Sequence, residues 1–249
     1  MTPSPTYIHY RVQWKVLGPE SPGQRFEREQ FQKFFEDLNA NREFSGYDDF
    51  SYRPDRCELA KARGSAPQGG QAFSKVVYAD DALSIVEEWT DESTRDFAQK
   101  LKIVLDCWFG CFAQTLAVVQ SCVVRAITTP AHFDDSRHFL GHAVLGLEKA
   151  LGSRMQGPLY KVGFTLGCQR VQGKIPMNFE CAASSWRDNR SVWLEVRADT
   201  PLAEPLNAAR HDQAETLFGR CTEFLENELL QLLLYYNGKD HDSDSGATP

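Results

Sequence analysis

Alternation of apolar and polar residues marks several short segments of the chain as β-strands with one buried face. In residues 7–17 the polar members share one face, and they include His9, Arg11, Gln13 and Lys15. Residues 116–127 are apolar on both faces, which predicts a central strand. Further strand-like segments cover residues 57–63, 73–79, 83–89, 160–168, 177–181 and 192–198.

Four other segments carry apolar residues at helical spacing. We expect a short helix around residues 31–38, a long core helix over residues 94–113 and a second short helix along the stripe from Leu140 to Leu151. The strongest stripe runs from Leu217 to Leu233 and predicts a C-terminal amphipathic helix. The remaining assignments are a loop at residues 39–55, a hairpin loop at residues 64–70 and a disordered acidic tail at residues 239–249.

The order of these elements repeats along the chain. Residues 7–113 contain a strand, a short helix, three strands and a long helix, and residues 116–236 contain the same series. This order predicts an α+β protein in which two tandem β-α-β-β-β-α halves form a curved antiparallel sheet with helices packed on one face. The alternative is that an α+β chain contains such an order by chance.

The two halves, residues 1–115 and 116–238, are expected to form one cooperative unit. Only Gln114 and Thr115 separate the last predicted helix of the first half from the first strand of the second. A linker this short, without proline or glycine, does not allow two domains to move freely.

Composition and charge narrow the classes of partner. The chain has 249 residues, of which 42% are hydrophobic, and this is enough for a sizeable core. The formal net charge of −7 disfavours binding to nucleic acid or to anionic lipid. Because the sequence contains neither a membrane-spanning apolar stretch nor a signal peptide at its start, we expect no membrane association. Seven cysteines, mostly in apolar segments, favour buried free thiols and a reducing, cytoplasmic compartment.

One segment carries a family resemblance. Residues 121–127 read Ser-Cys-Val-Val-Arg-Ala-Ile, and Arg125 lies in a strand that follows the middle helix. This layout resembles that of a sporadically distributed family of uncharacterised bacterial proteins, in which an Arg-centred strand follows the middle helix. The Tyr and Asn that usually come next in that family are absent here. The resemblance spans nearly the whole chain and implies no catalytic residues. The halves are also similar in topology to the duplicated saddle of TATA-binding proteins, but the acidic balance argues against DNA binding.

Catalytic and cofactor motifs are not evident in the sequence. The glycines at residues 64–70 lack the Lys-Ser/Thr of a phosphate loop, and neither a dinucleotide-binding fingerprint nor a nucleophile elbow is present. His138 and His142 are four residues apart on a predicted helix and are weak candidates for metal ligands. A solvated helix start is the favoured interpretation of this segment, so we predict no catalytic residue, cofactor or metal.

The polar face of the predicted sheet is the main candidate for binding. A solvated face with weak cross-strand ion pairs is the alternative interpretation. The sequence predicts a non-enzymatic interaction protein that forms a homodimer or binds a protein partner through this face. The competing hypothesis is a helix-grip-like domain that binds a small-molecule ligand, or acts on one, in a cavity between sheet and helix. The candidate binding residues are His9, Arg11, Gln13, Lys15, Arg125, Lys161, Glu180, Glu195 and Arg197.

Overall fold

Nine antiparallel strands form a single sheet in the part of the chain that the computed structural model describes. That part comprises residues 5–18, 26–44, 46–66, 71–147, 160–172, 175–200, 204–209 and 215–239. The strands are β1 Thr6–Leu17, β2 Asp49–Arg53, β3 Arg56–Ser65, β4 Gln71–Ala79, β5 Ala82–Glu88, β6 Leu116–Thr128, β7 Gly163–Gln172, β8 Ile175–Ser185 and β9 Val192–Asp199.

Within the described residues, four helical segments accompany the sheet. Helix α1 spans Arg28–Ala40 and α2 spans Thr94–Cys111. Helix α3 begins as Ser136–His138 and continues as a π-helical segment, Phe139–Val144. Helix α4 consists of Thr216–Phe224, a π-helical segment Leu225–Leu229, and Leu230–Lys239.

The strand order is β2-β3-β4-β5-β1-β6-β9-β8-β7, so β1 and β6 lie side by side in the middle of the sheet. Their register places Tyr10 opposite Val124 and Val12 opposite Cys122. Both neighbours of β6 are therefore strands, which confirms the central position predicted from its apolar composition. β4 and β5 are joined by Asp80 and Asp81, whose positive φ angles are those of a two-residue hairpin turn.

The hydrophobic core lies between one face of the sheet and the helices. Tyr10, Val12 and Trp14 of β1 are completely buried and belong to the same cluster as apolar residues of all four helices. Phe218 of α4 meets the ring of Tyr10 edge-on at 5.3 Å and that of Phe97 of α2 at 4.9 Å. The opposite face of the sheet, which we call the open face, carries the polar members of each alternation.

The α+β class and the antiparallel sheet are confirmed, but two elements differ from the prediction. Residues 39–55 were expected to be a loop, whereas Asp49–Arg53 forms β2. This strand was missed because it is an edge strand with no fully buried residue, and its only large apolar side chains are Phe50 and Tyr52. The first half of the chain therefore has four strands between its helices, not three.

The second short helix ends earlier than its apolar stripe suggested. It stops at Val144, because Gly146 adopts a φ of 60° and the amide of Leu147 turns back to the carbonyl of Gly141 at 2.8 Å. Leu151 lies outside the described residues, as do residues 67–70 of the expected hairpin loop and residues 240–249 of the expected tail.

Candidate functional site

A groove of about 560 Å³ runs across one end of the open face and is the candidate functional site. Strands β1, β3, β4, β5 and β6 supply its side chains, together with the β4–β5 turn. We call it the basic groove, and its lining residues are Arg11, Gln13, Lys15, Arg56, Val77, Ala79, Asp80, Ala82, Ser84, Val86 and Gln120.

Differences in side-chain length create this groove. Ala79 and Ala82 stand opposite each other on β4 and β5, and Ser84 stands opposite Gln13 on β1. These small side chains form the floor, whereas the long side chains of Arg11 and Lys15 project from the neighbouring strand. The side chains at successive open-face positions of β1 therefore form one wall of the groove, and β4 and β5 form its floor.

Two cations of the groove are not neutralised. Arg56 donates to Glu58 at 2.7 Å and shares this carboxylate with Lys75, which also lies 2.7 Å from it. Arg11 instead donates to the amide oxygen of Gln13 at 2.6 Å, and within the described residues neither Arg11 nor Lys15 contacts a carboxylate. The lining therefore holds three cations, Arg11, Lys15 and Arg56, against one carboxylate, Asp80, in a protein whose net charge is −7.

The other predicted residues of β1 and β6 contact carboxylates on neighbouring strands. His9 is only 5% exposed, and its Nδ1 lies 2.5 Å from Glu88, its register partner on β5. Arg125 lies 2.6 Å from Glu195, which stands directly opposite on β9. These pairs follow the solvated-face interpretation of the sequence, in which cross-strand partners satisfy each other.

The remaining members of the predicted face lie away from the groove. Glu180 and Arg197 are exposed register partners on β8 and β9, beyond β6 from the groove. Lys161 is exposed but precedes β7, which begins at Gly163, so it lies outside the strand to which the alternation assigned it. Of the nine predicted binding residues, the structure brings three together in the basic groove: Arg11, Gln13 and Lys15.

The two candidate metal ligands face each other on α3. The imidazole rings of His138 and His142 are nearly parallel, with centroids 5.0 Å apart. Within the described ranges, no group of three or more His, Cys, Asp or Glu side chains is arranged to hold a metal ion. Among the described residues, the pair therefore has no third protein ligand of the kind that a zinc site needs.

A second cluster of charges lies on the helix side of the sheet. The ammonium of Lys100 on α2 is 2.6 Å from a carboxylate oxygen of Glu87 and 2.6 Å from one of Glu92. Arg63 of β3 pairs with Glu92 and lies 3.5 Å from Glu87. We call these four residues the buried ion cluster, because Glu87 is completely buried and Lys100 is only 5% exposed.

The electrostatics of the buried ion cluster indicate a structural role. Burial raises the pKa of the Glu87 carboxyl, against the opposing effect of the Lys100 ammonium. Ser74 donates to the same carboxylate at 2.5 Å. Two cations balance two carboxylates, so the cluster has little net charge with which to attract a ligand. The buried ion cluster joins β3 and β5 to α2 on the side of the sheet that is otherwise apolar.

Sequence reasoning missed both the floor of the groove and the buried ion cluster. The floor consists of alanine and serine on strands that are distant in sequence from β1, so no local pattern indicates it. The cluster did leave a signal. Glu87 continues the core-facing series Leu83, Ile85, and Lys100 lies on the buried side of α2 next to Leu101. A charge at a core position is a sign of a buried partner.

Comparison with known proteins adds no assignment. No protein-family model matches the chain, and no curated protein resembles it in sequence. Among the helices of the described residues, none has both the length and the apolar character needed to span a membrane.

Proposed function

We propose that this chain is a non-enzymatic binding protein that recognises an acidic segment of a protein partner in the basic groove. The observation that carries the proposal is the pair of cations, Arg11 and Lys15, that line the groove without a carboxylate partner. Charges left unpaired next to a concave surface favour an anionic ligand, because the ligand supplies the missing partner.

The spacing of the two cations favours an extended segment over a single small anion. Arg11 and Lys15 are four residues apart on β1, which corresponds to about 14 Å between their Cα atoms at the usual rise of a strand. Two acidic side chains of an extended peptide span a similar distance. Gln13 lies between the cations and donates to Gln120 at 3.1 Å, so amide groups are placed where a peptide backbone would pass.

The packing of the core supports a binding protein over the helix-grip-like alternative, in which a cavity between sheet and helix would hold a small molecule. On the helix side, the cleft lined by Phe139, Leu230 and Leu233 among others has a volume of only about 10 Å³. A single water needs about this much space. Buried aromatic rings such as those of Tyr10 and Trp108 fill the region that such a cavity would occupy.

The proposal also covers the duplication of the fold and the compartment in which the protein acts. We infer a tandem duplication from the strand order, in which β5, β4 and β3 follow β1 on one side as β9, β8 and β7 follow β6 on the other. β2 is then an addition to the first half. Membership of the sporadically distributed bacterial family would agree with this layout. All seven cysteines are free thiols, which supports action in the cytoplasm.

Charge reversal in the groove tests the proposed function. A fluorescently labelled, glutamate-rich decapeptide serves as the probe, and its binding is measured by fluorescence anisotropy. Replacing both cations (Arg11→Glu, Lys15→Glu) should weaken binding at least tenfold, because attraction becomes repulsion. Thermal stability should change little, since both side chains are exposed.

The matched control is the double reversal Lys161→Glu, Arg197→Glu, which makes the same change in net charge at two exposed residues outside the groove. This variant should bind the peptide as the natural chain does. Equal loss in both variants would mean that overall charge, not the groove, attracts the peptide. Failure of the natural chain to prefer this peptide over a glutamine-rich one of equal length would overturn the proposal. If the natural chain bound inorganic phosphate and did not bind the peptide, the groove would be a small-anion site instead.

A further inference from the structure

The two edges of the sheet differ in a way that bears on self-association. β2 is five residues long and has the charged residues Asp49 and Arg53 at its ends. β7, at the other edge, is ten residues long and contains a single charged residue, Arg170. At the usual rise these lengths correspond to about 17 Å and about 34 Å. Short, charged edges resist pairing with another chain, and long, uncharged edges permit it.

The side chains of β7 are exposed along most of its length. Leu166 is 49% exposed and Val171 is 68% exposed, and both are among the few large apolar side chains of the described residues that face solvent. Leu166 stands opposite Cys181 of β8, so it lies on the helix side of the sheet, where the equivalent positions of inner strands are buried. Cys168 lies on the same side and is also exposed.

We propose that β7 pairs with β7 of a second copy of this chain, antiparallel and across a two-fold axis perpendicular to the sheet. The backbone N–H and C=O groups on the outer edge of β7 would then form hydrogen bonds with their counterparts in the partner. A two-fold axis in this direction keeps corresponding faces together. The exposed apolar row that includes Leu166 and Cys168 therefore meets the same row of the second copy.

The charges along the edge favour a second copy as the occupant. Arg170 pairs with Glu228 of α4, and its guanidinium lies 5.3 Å from the ring centroid of Phe224. Its charge is thus balanced within its own chain, and two copies of the strand bring no unbalanced like charges together. The helix-side row of β7 holds Phe164, Leu166, Cys168 and the internally paired Arg170, and the other row holds Thr165, Gly167, Gln169 and Val171. Neither row brings an unpaired charge against its own copy, so the strand is complementary to itself.

Sedimentation velocity with an edge variant tests this proposal. The natural chain should be dimeric at micromolar concentration. Leu166→Lys places a charge in the paired row and should raise the dimer dissociation constant at least tenfold. The matched control is Leu17→Lys, an identical change at a position with 39% exposure at the end of β1. The control should leave the dimer unchanged. A monomeric natural chain, or a dimer unaffected by Leu166→Lys, would overturn the proposal.

Hydrogen exchange of the natural chain gives a second readout that does not depend on a variant folding. Peptides covering β7 should exchange more slowly at concentrations that favour the dimer than after dilution, while peptides covering β2 should not change. A dimer in which β7 exchange is independent of concentration would place the interface elsewhere. Leu166→Lys should still bind the glutamate-rich peptide, so failure of the dimer and failure of the basic groove are distinguishable.

Discussion

Lys100 lies in an environment that is unusual for a lysine. It is nearly buried on α2, and its ammonium contacts both Glu87 and Glu92 at 2.6 Å. The desolvation of these charges opposes folding, so the cluster adds little net stability while it is complete. Its members nevertheless depend on one another, because the removal of Lys100 leaves the completely buried Glu87 with only the more distant cation of Arg63, at 3.5 Å.

Replacement of Lys100 by methionine should destabilise the chain strongly. Lys100→Met keeps the length of the side chain but leaves Glu87 buried next to Glu92 without the ammonium between them. We expect a loss of about 3–5 kcal/mol in the free energy of unfolding, measured by chemical denaturation.

The matched control lies two residues further along the same helix. Lys102 pairs with Glu215 at 2.9 Å, but its side chain is 41% exposed. Lys102→Met should cost less than about 1 kcal/mol, because exposed pairs contribute little. Similar losses in the two variants would mean that Lys100 acts through helix propensity or packing and not through charge.

For individual residues, the sequence predicted which side chains share the open face but not which of them are paired. The alternation in β1 correctly placed Arg11, Gln13 and Lys15 on one exposed face. It also grouped them with His9, which is buried against Glu88. Whether a polar strand residue is free or paired depends on its register partner on another strand, and a single strand's pattern carries no information about that partner.

The sequence predicted the position and the buried side of helix α4, but it did not predict the helix geometry. Of the seven residues of its apolar stripe, Leu232 is half-buried and the other six are buried: Leu217, Cys221, Phe224, Leu225, Leu229 and Leu233. The π-helical segment Leu225–Leu229 within it has no counterpart in the periodicity. A single wider π-helical turn rotates the apolar stripe by only a fraction of a turn. Large apolar side chains can still reach the core after this small rotation, so the residue pattern does not reveal it.

Phe224→Ala tests how much this helix contributes to stability. The ring of Phe224 is 7% exposed and stacks on Phe179 of β8, with centroids 4.7 Å apart. Truncation should lower the free energy of unfolding by about 3–5 kcal/mol, because it leaves a cavity between helix and sheet. Thermal denaturation followed by circular dichroism measures the effect.

Tyr235→Ala, on the same helix, is the companion variant. Its side chain is 56% exposed, so its removal should cost under about 1 kcal/mol. If Phe224→Ala were equally mild, the stacking on Phe179 would not belong to the stabilising core.

Across the whole molecule, the two halves of the chain share their packing. β1 of the first half pairs with β6 of the second along its full length, from Thr6 opposite Ile127 to Leu17 opposite Leu116. The junction itself is held in place, since Thr115 is 2% exposed and accepts a hydrogen bond from Trp108 at 3.1 Å. Neither half can therefore lose its structure without exposing buried surface of the other.

The pairing of β1 with β6 could not be read from either strand alone. The residue pattern predicted both strands, but the partner of each strand depends on the order of the strands in the sheet. β1 pairs with β5 and β6, and both of these strands are distant from β1 in sequence. The expectation of one cooperative unit came instead from the two-residue link at Gln114 and Thr115, and it remains to be measured.

We expect the full chain to unfold in a single transition, and Phe224→Ala allows this to be tested across the halves. The substitution lies in the second half, whereas β4 and β5 belong to the first. Because Phe218 of the same helix packs on Tyr10 and Phe97, loss of α4 should destabilise the first half equally. Native-state hydrogen exchange should then report the same loss of protection in the slowest-exchanging amides of β4 and β5 as in those of β8 and β9. Loss confined to β8 and β9 would mean that the halves unfold separately, in spite of the continuous sheet that joins them.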